Sequence, residues 1–514
     1  MKIKLLVLFL IYQGVFAQMT TSEVDHLMED AITKFNVAGA AIAIVKDGKV
    51  IHNKGYGIKS VITGEKVNEH TQFAIASNSK AFTTTALTLL VEEGKLSWTD
   101  KVKDHIPEFK MYNDYVTENF NIQDLLTHRS GLGLGIGDLM FFPDGNNFTI
   151  RDILSSFQYF KAQSAFRTKF DYDNLLYVVA GEVIARVSGM SWEQFIQQRI
   201  FTPLQMDNSY ACLKMLPNTS NLAFPHDDAS GKLKQLKSFE DMPNGAAGGI
   251  YSNVDDLSQW MLVHLNKGKY GPDLKAQLFS AKSQREMWKI HTVTDTDSSP
   301  RYNSHFSGYG LGWDLEDIKG VMSVSHTGGL PGMLSKTIMI PDLNLGVVVL
   351  TNTSEGGAGV FSAVTQTIVD SYLGLDNNKW VDKYYTMLSQ WKKSADAVTD
   401  KVWETVKKSS KENIKTQDYI GVYEDKWFGK VEVFMKDKQL WFKSYRSPKL
   451  SGPMYFYKAN AFAIKWDYQD MNADAFAIFS LDEEGKAESI KMKGISPNID
   501  FSFDFQDLDL QRIK

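Results

Sequence analysis

A single cysteine, Cys212, stands in a chain of 514 residues, which excludes an intramolecular disulfide and any thiolate metal cluster. Cys212 itself reads as a small buried residue rather than a reactive one. Histidine is scarce as well: there are ten, and none stands in the H-x-x-x-H or H-E-x-x-H spacing that puts two rings on one helical face, so no metal is expected. Charge of one sign is missing, since Lys plus Arg number 56 against 61 Asp plus Glu. Without a basic excess to neutralise phosphates, nucleic acid is not an expected partner. The run Gly131-Leu-Gly-Leu-Gly-Ile-Gly137 has neither dinucleotide-binding nor P-loop spacing and follows no predicted strand. It therefore reads as a mobile loop near a cleft, and no cofactor is called for. Long apolar runs are lacking too. The first, behind Lys2 and Lys4, stops at Gln13, whereas about 18 residues are needed to span a bilayer. With Val15-Phe16-Ala17 as a small-residue cleavage site, residues 1–17 read as a signal peptide. The expectation is an exported chain, periplasmic or secreted, without a membrane segment after cleavage and without a thiol at the cleavage site for a lipid anchor.

The chain is long enough to divide into more than one domain. Helical spacing is expected over 22–35, followed by two apolar runs around Lys46-Asp-Gly48 that predict a β-hairpin. Gln72-Phe-Ala-Ile-Ala76 leads straight into Ser77 and a helix over 80–93. Further helices are predicted over 122–126, 175–187, 191–200 and 360–373, with strands over 321–325, 335–340 and 345–351. Strands at both ends with helices between them imply an α/β layer carrying a helical insertion over 18–375. A polar connecting helix falls within 376–415. From 416 to 514 period-2 alternation dominates, as in Lys430-Val-Glu-Val-Phe434 and Phe501-Ser-Phe-Asp-Phe505, predicting a small antiparallel β domain.

Ser77-Asn-Ser-Lys80 is an S-x-x-K sequence where a strand hands over to a helix. Three residues make nearly one turn, so the Ser77 hydroxyl and the Lys80 amine face the same way. Serine is a poor nucleophile at neutral pH without a neighbouring base. For a lysine to be that base its pKa must fall from about 10.4 toward neutrality, at a cost of roughly 4 kcal/mol. A helix N-terminus contributes about 1 kcal/mol or less, whereas burial can supply the whole amount. The same helix start leaves the Ser77 amide free for a developing oxyanion. About two S-x-x-K matches are expected by chance in such a chain. The second, Ser389-Gln-Trp-Lys392, lies in the connecting helix with no strand delivering its serine to a cleft.

Tyr172-Asp-Asn174 supplies a phenol that a lysine ammonium can hold as phenolate for proton transfer, and an amide that can orient the lysine and a substrate carbonyl. Tyr251-Ser-Asn253 has the same spacing. His326-Thr-Gly328, on a predicted strand, offers His326 or Thr327 to a polar group of a substrate, with the Gly329 amide as second oxyanion donor. His128 reads as a structural loop histidine.

These three elements, with Asp124-Leu-Leu-Thr-His-Arg-Ser-Gly-Leu132, Gly245-Ala-Ala-Gly-Gly-Ile-Tyr-Ser252, Tyr309-Gly-Leu-Gly-Trp313 and His326-Thr-Gly-Gly-Leu-Pro-Gly332, resemble the serine β-lactamase and penicillin-binding protein superfamily. The similar branch contains class C β-lactamases, D-stereospecific peptidases and related esterases. The resemblance covers roughly residues 22–375 and implies an α/β fold in which an antiparallel sheet is flanked by helices and a helical subdomain. The C-terminal segment resembles an appended lipocalin-like β-barrel. It further implies a serine hydrolase with Ser77 as nucleophile, Lys80 and Tyr172 handling its proton, and Asn174, His326, Thr327 and Gly328 orienting substrate. The amides of Ser77 and Gly329 form the oxyanion hole. Tyr172 takes the family tyrosine's place because Ala180-Gly-Glu-Val-Ile184 follows it. Class C β-lactamases usually carry lysine where this chain has His326, and a mostly neutral histidine holds a substrate carboxylate less well. The implied substrates are small peptides, D-amino-acid peptides or cell-wall fragments included, cleaved at an amide bond through an acyl-enzyme. The alternatives are an esterase, a β-lactamase, or a slowly turning over penicillin-binding or sensor protein. The only partner called for is a small-molecule or peptide substrate, and nothing in the composition assigns an oligomeric state.

Overall fold

A computed structural model describes residues 18–228, 231–240, 243–297, 299–409 and 414–513. The expected signal peptide, 1–17, lies outside the described residues, as do positions 410–413 of the predicted connector. Helix α1 (Thr21–Lys34) opens with a capping box between Thr20 and Glu23, which satisfies amides that a helix start leaves unpaired. Strands β1 (Gly39–Lys46) and β2 (Lys49–Gly57) form the predicted hairpin. Asp47 and Gly48 at its tip both have positive φ, the geometry that matches the strands' twist.

Every residue of β1 except Lys46 is buried, because helices cover both faces of the sheet. The alternation sorts them: Ala40, Ile42 and Ile44 join one apolar cluster and Ala41, Ala43 and Val45 the other. Helix α2 (Ser79–Glu92) follows the Ser77 turn, and α3 (Leu175–Ser188) and α4 (Val254–Leu265) pack on the same side. The sheet is completed by β3 (Thr292–Val293), β4 (Ser307–Tyr309), β5 (Asp314–Ile318), β6 (Val321–Leu330), β7 (Met333–Ile340) and β8 (Leu345–Thr351). It is antiparallel throughout, in the order β2-β1-β8-β7-β6-β5-β4-β3. Helix α5 (Glu355–Tyr372) covers the other face with α1.

Three predicted helices differ. The 122–126 helix is a 3-10 turn, and the 191–200 helix is a short α-helix, Trp192–Ile196, running into a wider turn. Helix α5 starts five residues before the predicted Val360. Its glycines are poor helix formers but are required by packing: a Cβ on Gly359 would meet the Phe35 ring at 2.2 Å, and one on Gly357 would meet Thr351 Oγ1 at 2.3 Å.

Helix α6 (Trp380–Ser409) leads to a closed eight-stranded antiparallel barrel, β9 (Gly421–Asp425), β10 (Gly429–Lys436), β11 (Gln439–Ser444), β12 (Ser451–Lys458), β13 (Ala461–Ile464), β14 (Ala475–Leu481), β15 (Ala487–Gly494) and β16 (Leu510–Arg512). Closure removes the free edges that an open sheet exposes. The barrel docks on the helical lobe: Phe160 meets Trp427, Phe148 meets Phe428 and Phe142 meets Phe503 with ring centroids 5.4–5.8 Å apart. Arg446 forks onto Asp152 at 2.9 Å. Barrel interior and helical lobe thus share one continuous apolar core.

The segment Phe501-Ser-Phe-Asp-Phe505 is not the strand its alternation predicts. It is a turn followed by a 3-10 turn, Phe505–Asp507. The alternation has another cause. Phe501 faces a cavity, Phe503 and Phe505 enter the core, and the intervening Ser502 and Asp504 are buried against the helical lobe.

Candidate active site

The chain reaches Ser77 from a short strand, Phe73–Ala74, paired with Tyr251–Ser252. Ala76, just before Ser77, holds a left-handed φ of 48°, a conformation that costs a non-glycine residue on the order of 1 kcal/mol. This bend turns the chain into the 3-10 turn Ala76–Asn78 and then α2. Helix α2 is central and buried nearly all round, including Ser79, Lys80, Thr83, Thr84, Thr85 and Thr88. Its polar groups are met internally, for example Thr83 Oγ1 donating to the Ala246 carbonyl at 2.7 Å.

Lys80 is fully buried. Its Nζ donates to Ser77 Oγ at 3.0 Å, Asn174 Oδ1 at 2.7 Å and the Ala247 carbonyl at 2.8 Å. Burial pulls its pKa down to about 7, against the opposing pull of Asp138 and Asp173. Two of the three partners, an amide oxygen and a carbonyl, can only accept. A neutral Lys80 therefore gives both its hydrogens to Asn174 and Ala247 and turns its lone pair to the Ser77 hydroxyl, the one partner able to donate.

Tyr172 stands on the other side of the amine, which lies 4.8 Å from its ring centroid. Burial pushes the Tyr172 hydroxyl well above its usual pKa although the adjacent Ser77 works the other way. The phenol is thus held protonated and not as the phenolate expected from the tyrosine–lysine pairing. His128 stacks on Tyr172 with ring centroids 4.2 Å apart and accepts from the Asp173 amide at 3.0 Å. Buried and neutral, it braces the tyrosine.

Strand β6 pairs with β5 only as far as Ser325, so His326 to Leu330 present an open edge beside Ser77. Close approach depends on Gly328: a Cβ there would lie 2.1 Å from the Ile75 carbonyl oxygen. Ser335 ties β7 to the same turn, donating to the Ile75 carbonyl at 2.8 Å and accepting from Asn78 at 2.9 Å. His326 differs from expectation. Its Nδ1 is 2.5 Å from the Thr327 carbonyl, which can only accept, so Nδ1 carries the proton and Nε2 accepts from the Tyr309 hydroxyl at 2.9 Å. Burial, then the Lys80 charge, lower its pKa to about 3. With both nitrogens engaged by the protein, His326 shapes the site; it and Thr327 both line the cavity, and Thr327 is the exposed one.

The cavity measures about 440 Å³ and is bounded by Ser77, Tyr172, Asn174 and the His326–Leu330 edge, with Phe141, Phe142, Phe170 and Phe361 as apolar walls. Two carboxylates, Asp314 and Asp500, face it. Asp314 is raised by burial to about 7, with Lys336 drawing it down. Asp500, Phe501 and Ser502 come from the barrel, and sequence reasoning did not reach them because their alternation read as a strand. Asp138, which accepts from Asn174 at 2.8 Å, was likewise missed. Its one signal was the adjoining glycine run.

The other candidates lie elsewhere. Lys392 of the second S-x-x-K pairs with Glu355 at 3.2 Å and Ser389 is exposed. Asn253 caps α4 through the Asp256 amide, and Tyr251 is a buried strand residue. Cys212 is half-buried rather than buried, with its thiol pKa raised by burial. The glycine run lies beside the cleft as expected but is held on two sides, by Gly135 N to the Tyr172 carbonyl at 2.8 Å and by Asp504.

A family model described as Beta-lactamase matches residues 24–366, and one described as a domain of unknown function (DUF3471) matches residues 406–512. The chain is 28% identical over 385 residues to unguisins hydrolase ungD' of Aspergillus campestris (strain IBT 28561), covering 72% of this chain and 69% of that protein. It is 27% identical over 382 residues to protein flp of Staphylococcus aureus (strain MW2), covering 73% and 71%. The octameric penicillin-binding protein homologue from Pyrococcus abyssi superposes with a TM-score of 0.61 at 21% identity, over 96% of this chain and all of that one. A penicillin-binding protein from Bacillus halodurans gives 0.54 at 22% identity, over 66% and 98%. At such identities these two likenesses speak for the fold.

Proposed function

Because this chain belongs to the β-lactamase family and is a serine hydrolase, we propose that it cleaves amide bonds of small peptides through an acyl-enzyme on Ser77. Neutral Lys80 takes the hydroxyl proton as Ser77 Oγ bonds to the carbonyl carbon, and the amides of Ser77 and Gly329 hold the oxyanion. Collapse of the tetrahedral adduct breaks the C–N bond. The leaving nitrogen takes the Tyr172 proton while Lys80 returns its own to the phenol oxygen. Water then attacks the ester and restores Ser77. The observation that carries this reading is the buried Lys80, whose one donor-capable hydrogen-bond partner among the described residues is Ser77.

The cavity supports the choice among substrates. Its lining carboxyls, Asp314 and Asp500, both pushed up by burial, still offer acceptor oxygens to an ammonium such as the free amino end of a small peptide, and neutral His326 supplies no cation for a substrate carboxylate. That favours a peptidase over an efficient β-lactamase, D-residue peptides and cell-wall fragments included, with an esterase next. A relative named as a hydrolase of unguisins is consistent with the reading. We further place the mature chain outside the cytoplasm, periplasmic or secreted, on the strength of residues 1–17. Mature protein beginning at Gln18 is the expected result of N-terminal sequencing.

Wild type and Ser77→Ala exposed to a fluorophosphonate and compared by intact mass test the nucleophile: a single adduct on wild type and none on the variant is expected. Equal labelling of both would remove Ser77 from the mechanism. A panel of D- and L-peptides with free and blocked amino ends, simple esters and nitrocefin then reads the substrate class. A long-lived penicillin adduct with no peptide turnover would point to a sensor instead.

A further inference from the structure

The glycine run 131–137 and the barrel segment between β15 and β16 meet directly behind the catalytic lysine. The end of that run, with Leu139 just beyond it, holds a buried group through backbone amides. The group is the carboxyl of Asp504, whose Oδ2 accepts from Gly137 N at 2.7 Å and whose Oδ1 accepts from Leu139 N at 2.9 Å. These two amides bracket Asp138. Asp138 Oδ2 in turn accepts from Ser502 Oγ at 2.9 Å and from Asn174 Nδ2 at 2.8 Å, while Asn174 Oδ1 accepts from Lys80 Nζ at 2.7 Å. Asp138 and Asp504 are fully buried, and Ser502, at the cavity wall, is 4% exposed.

We propose that Ser502 and Asp504 of the barrel are positioning residues for hydrolysis, acting through Asp138 and Asn174 to hold Lys80 toward Ser77. The proposal rests on the reading of Ser77 and Lys80 given above. An asparagine amide has a donor end and an acceptor end of nearly equal shape, and only the acceptor end can receive a hydrogen from Lys80. Asp138 fixes which end faces the lysine by accepting from the other. A flipped amide would set N–H against N–H at the base. Ser502 and Asp504 fix Asp138, one through its side chain and one through the amides on either side of it. The barrel is thereby part of the machinery that orients the base, and not only a neighbour of the cleft. The glycines allow the approach: a Cβ on Gly135, whose φ is +67°, would lie 2.8 Å from both Cδ2 and the carbonyl oxygen of Phe501. Phe501 also meets the Tyr172 ring edge-on at 5.9 Å.

The test uses full-length protein and the fluorophosphonate labelling rate at Ser77, resolved into kinact and KI between pH 5 and 9, with melting temperature recorded for each variant. Ser502→Ala should lower the plateau kinact about tenfold, the scale of one lost buried hydrogen bond, with KI and melting temperature close to wild type. It should also move the midpoint of the pH profile below that of wild type, since a loosened Asn174 oxygen no longer favours the Lys80 ammonium. Ser502→Thr, which keeps the hydroxyl, should restore both. Gly135→Ala, whose Cβ would press on Phe501 and come to 3.4 Å from Asp138 Oδ2, should reproduce the lowered plateau. Wild-type kinact and midpoint in a folded Ser502→Ala overturn the proposal while leaving the nucleophile assignment standing. Equal losses in Ser502→Ala and Ser502→Thr with lowered melting temperatures overturn it too, as mere packing. Failure of wild type to label at Ser77 overturns both.

Discussion

A lysine whose ammonium is penalised by burial loses its proton near neutrality, and the acylation it drives should follow that titration. With Lys80 at about 7, the neutral form is the base in the proposed mechanism, so the rate should fall about tenfold per pH unit below that value and level off above it. Tyr172 is held protonated well past 10, so no second inflection from its ionisation should appear up to pH 9. A stopped labelling assay across pH checks both limbs. Lys80→Arg keeps a charge that cannot be removed and should cost acylation at least about 100-fold. Tyr172→Phe separates proton donation from base catalysis. Amide cleavage should fall about 100-fold or more because an amine must leave protonated, whereas aryl esters, whose phenolate leaves unaided, should lose far less. Equal losses on both substrates would take the leaving-group role away from Tyr172.

At the level of elements, the site is a meeting of one turn and one strand edge. The Ile75–Ser77 turn and β6 approach so closely that Gly328 has no room for a side chain. Gly328→Ala should push the edge away from Ser77 and spoil the spacing of the two proposed oxyanion donors, lowering kcat about 100-fold. The overpacking itself should cost about 1–3 kcal/mol by chemical denaturation. A variant with unchanged kcat would show that the edge tolerates displacement. Gly328 was visible in the sequence as a candidate, but its reason was not, since the oxygen it must clear belongs to Ile75, more than 250 residues away in the chain. The expected strand span was 321–325, with His326-Thr-Gly328 also placed on a strand, and the observed one runs over Val321–Leu330. Tertiary pairing with β7 carries it on to Leu330.

For the whole molecule, the barrel's seat on the helical lobe includes the fork of Arg446 onto Asp152, which draws the Asp152 carboxyl far below its ordinary range. Arg446→Ala should cost about 1 kcal/mol of stability, as an exposed, well-formed ion pair does. The sign follows from the depressed pKa: the contribution is complete above the ordinary carboxyl value near pH 4 and fades as pH falls through the folded-state value. Denaturation of wild type and variant at pH 7, 4 and 2 should therefore show a difference at pH 7 that persists at 4 and shrinks at 2. A difference growing as pH falls would contradict the pairing. Among the described residues no single helix is long and apolar enough to cross a membrane. The exposed face of α6, with Met387, Trp391 and Val398, has the spacing of one helical stripe.

The sequence alone determined the hairpin at Asp47-Gly48, the strand-to-helix handover at Ser77, the Ser77–Lys80 spacing and the alternation of the barrel strands. Each of these rests on backbone preference or on residues within one turn of each other. Tertiary structure alone decided that Lys80 is dry enough to be a base, that His326 spends both nitrogens on Tyr309 and Thr327, and that Ser502 and Asp504 reach Asp138. Desolvation and hydrogen-bond partners are properties of what surrounds a group, and here the surroundings come from segments as far as 364 residues apart that only the packed core brings together.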